Sequence, residues 1–263
     1  MLARLARRIA ALLPASAEDL LHRVAGRLRS LRYAGSRYRC PCCGGGFARM
    51  LSWDPSDPDD DNRMCPRCHS QSRHRLLLTY LERETGLFSQ EVRLLHFAPE
   101  RFLARIFRSR PGILYVPVDL EMSRVSARVD VTSLGFREAC FDAIVCNHVL
   151  EHVPDDEAAI RELCRVLAPG GWAVVMAPVD HDRAETLEDP SVRDPMERRR
   201  LFGQSDHVRV YGRDYIDRLN RAEWAASELH YADELDPGLR ESLALMEREY
   251  IYLARKPPAP PVA

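Results

Sequence analysis

The chain almost lacks lysine: Lys256 is the one lysine among 38 basic residues, and all the others are arginine. That skew fits GC-rich codon usage and says little about chemistry. Long apolar runs are missing too. None approaches the roughly 18 residues that a membrane-spanning helix needs, so no transmembrane segment is expected. There is no excess charge of one sign, because 38 basic and 39 acidic residues leave a net charge of −1. No global field therefore points to nucleic acid. A secretory signal is not evident either. The start, MLARLARRIAALLPASA, is basic and has only a short apolar stretch, which leads us to expect a cytoplasmic protein. Apolar residues are not scarce. At 46% hydrophobic and 29% charged residues, disordered, collagen-like and mucin-like chains are excluded. The 263 residues suffice for one α/β domain and a small module.

Cysteines are present and clustered. Five of eight lie between Cys40 and Cys68. Cys40-Pro-Cys-Cys43-Gly and Cys65-Pro-Arg-Cys68 are two C-x-x-C pairs. Two ligands on each of two tight turns form a tetrahedral four-thiolate cage for a structural zinc ion, with no position open for catalysis. Cys40, Cys43, Cys65 and Cys68 are the expected ligands, Cys42 is a spare turn residue, and His69 is the poorer substitute. A redox role would need a thioredoxin-like βα context, which is absent. The acidic, proline-containing run Asp54–Asn62 between the pairs is expected to be a loop.

The organisation around this module changes along the chain. Residues 1–39 hold nine arginines and two acids. Leucines and isoleucines recur there at helical spacing and predict two basic amphipathic helices. This arm either packs on the body or lies peripherally on an anionic membrane surface. Residues 40–69 form the zinc ribbon, and 70–90 a connecting helix. Ser70–Arg75 places three basic side chains at the start of that helix, where they either grip a phosphate or nucleic acid or lie solvated. From 91 to 256 strands and helices alternate: strands Val92–Phe97, Ile113–Val118, Arg128–Val131, Phe141–Cys146 and Trp172–Ala177, with helices Arg101–Arg108 and Asp155–Leu167. This rhythm predicts an α/β fold with a mostly parallel sheet covered on both faces. The end is predicted as helix Tyr215–Trp224, strand Ala226–Tyr231 and strand Glu249–Ala254. Residues 257–263 are a proline-rich tail expected to be disordered.

The stretch from Phe141-Asp through Asn147-His148-Val-Leu-Glu151-His152-Val-Pro154 to Leu167-Ala-Pro169-Gly-Gly171 resembles the fourth- and fifth-strand region of class I S-adenosylmethionine-dependent methyltransferases of the type 11-like kind. Together with the cysteine module, Leu94–Glu100 and Asp206–Gly212, it resembles a bacterial group that carries an N-terminal zinc ribbon. The resemblance implies a Rossmann-like, seven-stranded sheet whose last strand is antiparallel. It also implies S-adenosylmethionine bound at the carboxyl ends of the first strands. Asp119 would accept the ribose hydroxyls, next to Leu120. Asp130, followed by Val131, would meet the adenine, and Asn147 the methionine tail. Alternative roles for these polar residues are a strand-end acid, a turn residue and a cap. The family's glycine-rich loop is replaced here by His96-Phe97-Ala98-Pro99-Glu100. Ala98 takes the first glycine position and is tolerated there if φ is negative, while Glu100 is available for the cofactor's ammonium group.

Methyl transfer needs alignment, exclusion of water and, for a protonated acceptor, a base. His148 and His207 are the candidate bases. Glu151 and His152 are read mainly as turn stabilisers. The polar insertion Asp180–Asp214, which holds Arg198–Arg200 and His207, is long enough to serve as a lid. The expected acceptor is a small molecule or glycan. The alternatives are an RNA methyltransferase that grips substrate with the ribbon, and a binding protein that has lost catalysis.

Overall fold

The computed structural model describes residues 15–52, 64–122 and 125–260, with the side chains of 15–19, 22 and 23 left aside. The first predicted arm helix and the acidic loop 54–62 fall outside the described residues. The chain forms two compact units. One joins residues up to Thr85 with Tyr231–Glu249, and the other joins Gly86–His230 with Tyr250 onward. The run 231–249, read in sequence as part of the 91–256 domain, thus groups with the N-terminal residues.

The first unit begins with helix α1 (Ala15–Leu31). Leu20, Leu21, Val24, Leu28 and Leu31 are all exposed, with Leu28 at 64%. Strands β1 (Ala34–Cys40) and β2 (Gly45–Phe47) pair antiparallel and present the first cysteine turn. Helix α2 (Ser72–Glu84) follows the second turn. It starts two residues later than predicted because Ser70 belongs to that turn: the Ser70 carbonyl accepts from Cys65 N at 2.8 Å. At the helix start Gln71 N donates to His74 Nδ1 at 2.9 Å and His74 N donates to Gln71 O at 3.2 Å. Behind it Arg75 is fully buried and has no carboxylate partner among the described residues. Its guanidinium donates to the carbonyls of Ser70, Leu243 and Ala244 at 2.6–2.8 Å. Burial lowers its pKa from the usual arginine range. Two of the three basic side chains read as a phosphate grip, His74 and Arg75, are therefore buried and spent on the fold.

The second unit contains the sheet. Its elements are β3 (Val92–Phe97), α3 (Arg101–Arg108), β4 (Ile113–Asp119), β5 (Ala127–Arg128), β6 (Phe141–Asn147), α4 (Asp156–Val166), β7 (Leu167–Met176), β8 (Leu187–Glu188), α5 (Pro195–Phe202), β9 (Arg209–Val210), α6 (Tyr215–Leu219), β10 (Ala225–Leu229) and β11 (Ile251–Arg255). The strand order is β10-β11-β7-β6-β3-β4-β5. The links from β7 to β5 are parallel, while β11 runs antiparallel to both β7 and β10. This is the Rossmann-like, seven-stranded and mostly parallel sheet expected. The central strands are apolar on both faces, as burial between two layers requires: Leu94, Leu95, Ala143, Ile144, Val145, Val174 and Val175 are all inaccessible to solvent.

Two predicted elements shrink for local reasons. The third strand stops at Arg128 because Asp130 turns the chain, accepting from Thr132 N and Thr132 Oγ1. Helix α6 stops at Leu219 because Asn220 bonds Ile216 O, Ala226 O and Ala226 N. Trp224 donates its indole N–H to Leu219 O. The insertion 180–214 is more ordered than a loop. It forms the β8–β9 pair and α5, which has Asp194 as N-cap and Gly203 at its end.

Candidate active site

The four expected zinc ligands converge. One sulfur from each of Cys40, Cys43, Cys65 and Cys68 lies within 4.8 Å of the others. Cys40–Cys68 and Cys43–Cys65 are both 3.7 Å apart. A tetrahedron with Zn–S bonds of about 2.3 Å has edges of about 3.8 Å, so the cage fits zinc. The two turns repeat each other. Gly44 N bonds Cys40 O at 2.8 Å and His69 N bonds Cys65 O at 2.9 Å. Both closing residues have positive φ, Gly44 at 68° and His69 at 62°. His69 therefore serves as the second turn's left-handed residue rather than as a ligand. Ser70 Oγ lies 3.1 Å from Cys40 Sγ and 3.3 Å from Cys68 Sγ, where it can donate to thiolate. The thiols are electrostatically crowded. Hydrogen bonds, first from Cys42 and then from Cys43, Cys65 and Cys68, pull Cys40 far below the usual thiol range. Cys43, Cys65 and Cys68 are pushed up, first by Cys40. Cys42 is buried, and burial raises its pKa, which suits an uncharged spare thiol.

In the sheet unit the strand order reverses between β3 and β6, and ligands of open α/β sheets bind beyond the carboxyl ends at such a point. There the Ala98 N–H donates to Val118 O at 3.0 Å. Ala98 has φ +43°, not the negative φ expected. The loop turns through left-handed backbone here, and the Cβ makes that conformation strained. His96 is fully buried and does not face the crevice. Its Nε2 is 2.9 Å from Glu100 Oε2, and its Nδ1 is 3.0 Å from Tyr115 Oη. With Glu100 ionised, Nε2–H donates to the carboxylate and the Tyr115 hydroxyl donates to Nδ1. His96 thus orients Glu100. The second Glu100 oxygen accepts from Asn147 Nδ2 at 3.2 Å and so ties β3 to β6. Asn147 is buried, and its Oδ1 has no hydrogen-bond partner among the described residues. The Phe97 side chain points into the core, leaving its backbone at the crevice.

Asp119 ends β4 half-buried, and its Oδ1 accepts from Glu121 N and Met122 N at 2.8 Å. A diol would have to be met by Oδ2. Leu120 beside it is exposed. Asp130 is exposed and lies beyond β5. The Thr132 backbone N–H, then the Thr132 hydroxyl, hold its carboxyl below the usual range. Val131 is buried. The crevice therefore holds an unpartnered buried acceptor suited to an ammonium, an acid placed for vicinal hydroxyls, and a backbone turn shaped for close approach. These residues fit S-adenosylmethionine.

Beyond Asn147 the chain enters a tight turn. His148 has φ +53°, and its N–H donates to Met176 O at 2.8 Å. His148 Nδ1 lies 3.1 Å from Glu151 Oε1, so its N–H donates to the carboxylate. A single 3-10 turn, Leu150–His152, follows. The insertion packs on this turn. Val208 N donates to Glu151 O at 2.9 Å. Arg209 is buried and donates to the carbonyls of Leu150, Val153 and Pro154 and to Glu188. Glu188 also accepts from Arg218, which pairs with Asp156. Burial alone would raise the Glu188 carboxyl, but hydrogen bonds from Arg218 and Arg209 outweigh it and lower it. This clamp sets His207 edge-on against His152, with ring centroids 4.8 Å apart. Burial lowers the His207 pKa. The sequence did not single out Arg209 as this clamp. The Arg198–Arg200 run is mostly surface: Arg199 and Arg200 are exposed, and Arg200 pairs with Glu197.

Residues 117–175, within the sheet unit, match the family model described as a methyltransferase domain. A ubiquinone biosynthesis O-methyltransferase of Chromobacterium violaceum is 50% identical over 32 residues, 12% of this chain and 14% of that protein. A demethylmenaquinone methyltransferase of Mycolicibacterium paratuberculosis is 46% identical over 46 residues, 18% of this chain and 20% of that protein. The chain thus matches one-fifth or less of the length of these two relatives. Among solved structures, the [4+2]-cyclase SpnF is similar at 19% identity, covering 92% of this chain and 95% of that one, with a TM-score of 0.49.

Proposed function

We propose that this protein is an S-adenosylmethionine-dependent methyltransferase acting on a hydroxyl of a small molecule or glycan. The observation that carries this reading is the buried, unpartnered Asn147 Oδ1 beside Glu100 at the switch point of the sheet. The matched methyltransferase segment and the two relatives named as methyltransferases support methyl transfer, and the one named as an O-methyltransferase supports an oxygen acceptor. The cofactor supplies a sulfonium methyl group, so the reaction yields a methyl ether, S-adenosylhomocysteine and a proton. Asp119 would hold the ribose hydroxyls through Oδ2, Asp130 would face the adenine, and Asn147 and Glu100 would hold the methionine tail. His148 donates Nδ1–H to Glu151, which leaves Nε2 with a lone pair to take the acceptor proton. His207 is the second candidate base. The four-cysteine cage holds structural zinc.

No helix among the described residues is long and apolar enough to cross a membrane. Within our reading the protein is cytoplasmic. The exposed leucines of α1, interleaved with Arg27 and Arg29, let it touch an anionic bilayer peripherally.

Calorimetric titration of the zinc-loaded protein with S-adenosylmethionine and S-adenosylhomocysteine tests the reading. Micromolar binding that Asp119→Ala weakens is expected. A folded protein that binds neither cofactor form would instead be a non-catalytic binding protein. That outcome has a physical basis, since Glu100 already engages His96 and Asn147. Methylation of RNA alone would move the acceptor to nucleic acid.

A further inference from the structure

The turn that carries His148 also builds a second cluster. One potential ligand atom from each of Glu151, His152 and His207 lies within 4.8 Å of the others. The outer sides of His207 and Glu151 are already hydrogen-bonded, and that of His152 faces Asp206. His207 donates Nδ1–H to Phe202 O at 3.1 Å, so Nε2 keeps its lone pair. His152 Nδ1 lies 3.4 Å from Asp206 Oδ2, which likewise leaves Nε2. Glu151 is 1% exposed, and its Oε1 takes the N–H of His148. Its Oε2 is buried with no hydrogen-bond partner among the described residues. An orphaned carboxylate oxygen away from water is costly and calls for a positive partner.

We propose that Glu151, His152 and His207 bind a divalent transition-metal ion of the zinc class. Two imidazole nitrogens and one carboxylate oxygen suit such an ion better than magnesium or calcium, which prefer oxygen donors. Metal-binding histidines characteristically donate the other ring N–H to a carbonyl or carboxylate, as His207 does to Phe202. Three protein ligands leave a coordination position open, unlike the closed cysteine cage. The site is preorganised by Arg209, which holds the carbonyls of the turn. The Val208 to Glu151 backbone bond places His207 beside it. Binding the ion would draw ligand atoms now within 4.8 Å to about 3.3 Å of one another, the spacing set by metal–ligand bonds near 2 Å. The open position would take the acceptor hydroxyl and favour its deprotonation. That use rests on the methyl-transfer reading, whereas ion binding does not. His207 is then a ligand, and His148 remains the base.

The test uses full-length protein with zinc in the cysteine cage, titrated with Co2+. The expected result is a second metal ion per chain, with weak visible bands and no thiolate charge transfer. Glu151→Gln and His207→Asn should each weaken this second site at least tenfold while the first ion stays bound. One ion per chain in the wild type, or a second ion that both variants keep, would refute the site. If a variant misfolds, wild-type NMR decides: Co2+ should broaden the ring signals of His152 and His207 first, and broadening confined elsewhere would sink the proposal. S-adenosylhomocysteine is titrated on the same samples. Cofactor binding without a second ion refutes the metal site alone, and a second ion without cofactor binding refutes the methyl-transfer reading alone.

Discussion

The two units bury different kinds of matter. The N-terminal unit buries two of its four cage thiols, Cys40 and Cys65, with Ser70, Gln71, Ser72 and the guanidinium of Arg75 beside a short leucine run. The sheet unit encloses a continuous apolar cluster from Leu95 and Phe97 through Ile144, Cys146 and Val175 to Tyr252 and Ala254. Burying apolar surface stabilises without needing any one geometry. Burying charge stabilises only while each partner stays in place. The first unit should therefore fail by losing a single ligand or bond, and the second should lose stability by degrees.

Removing zinc should give the largest contrast. Structural zinc sites contribute about 10–16 kcal/mol of apparent binding free energy, more than a small unit can lose. A strong chelator should abolish hydrogen-exchange protection in 34–52, 64–84 and 231–249 while β6 and β7 stay protected. Equal loss in both units would erase the contrast. Arg75→Ala comes next. It leaves the carbonyls of Leu243 and Ala244 without their donor, at a cost of about 3 kcal/mol. Chemical denaturation should show this, and a change below about 1 kcal/mol would mean that water replaces the guanidinium.

In the sheet unit, Asp119→Ala should leave the fold intact and weaken S-adenosylhomocysteine by about tenfold to a hundredfold, the usual worth of a charged hydrogen bond. Unchanged affinity would remove Asp119 from the site. The smallest effect is expected for Ala98→Gly, which relieves the positive φ and should raise stability by up to about 1 kcal/mol with cofactor binding retained. Ala98→Val should do the reverse. A destabilised Ala98→Gly variant would show that the Cβ makes contacts that outweigh its strain.

Legibility in the sequence follows the same divide. The cysteine spacing predicted the cage because two tight turns bring ligands together by local geometry alone. Strand Val92–Phe97 and helix Arg101–Arg108 match their predicted bounds, since apolar runs and helical spacing are local signals. Strand Arg128–Val131 and helix Tyr215–Trp224 were overextended, because Asp130 and Asn220 bond their own backbone neighbourhoods and apolar patterns do not register that. The site was half legible. Asp119 and Asn147 follow from where strands end. His96 does not, because only packing shows that it turns away from the crevice to hold Glu100.

By itself the sequence determined the four-cysteine cage, the alternation of strands and helices, and the polar residues at the strand ends. Each of these is written in spacing between near neighbours. Tertiary structure decided the rest: the left-handed backbone of Ala98, the burial of Arg75 against 243–244, and the docking of His207 beside Glu151 and His152. Those depend on partners far apart in the chain, which come together only when each unit closes on itself.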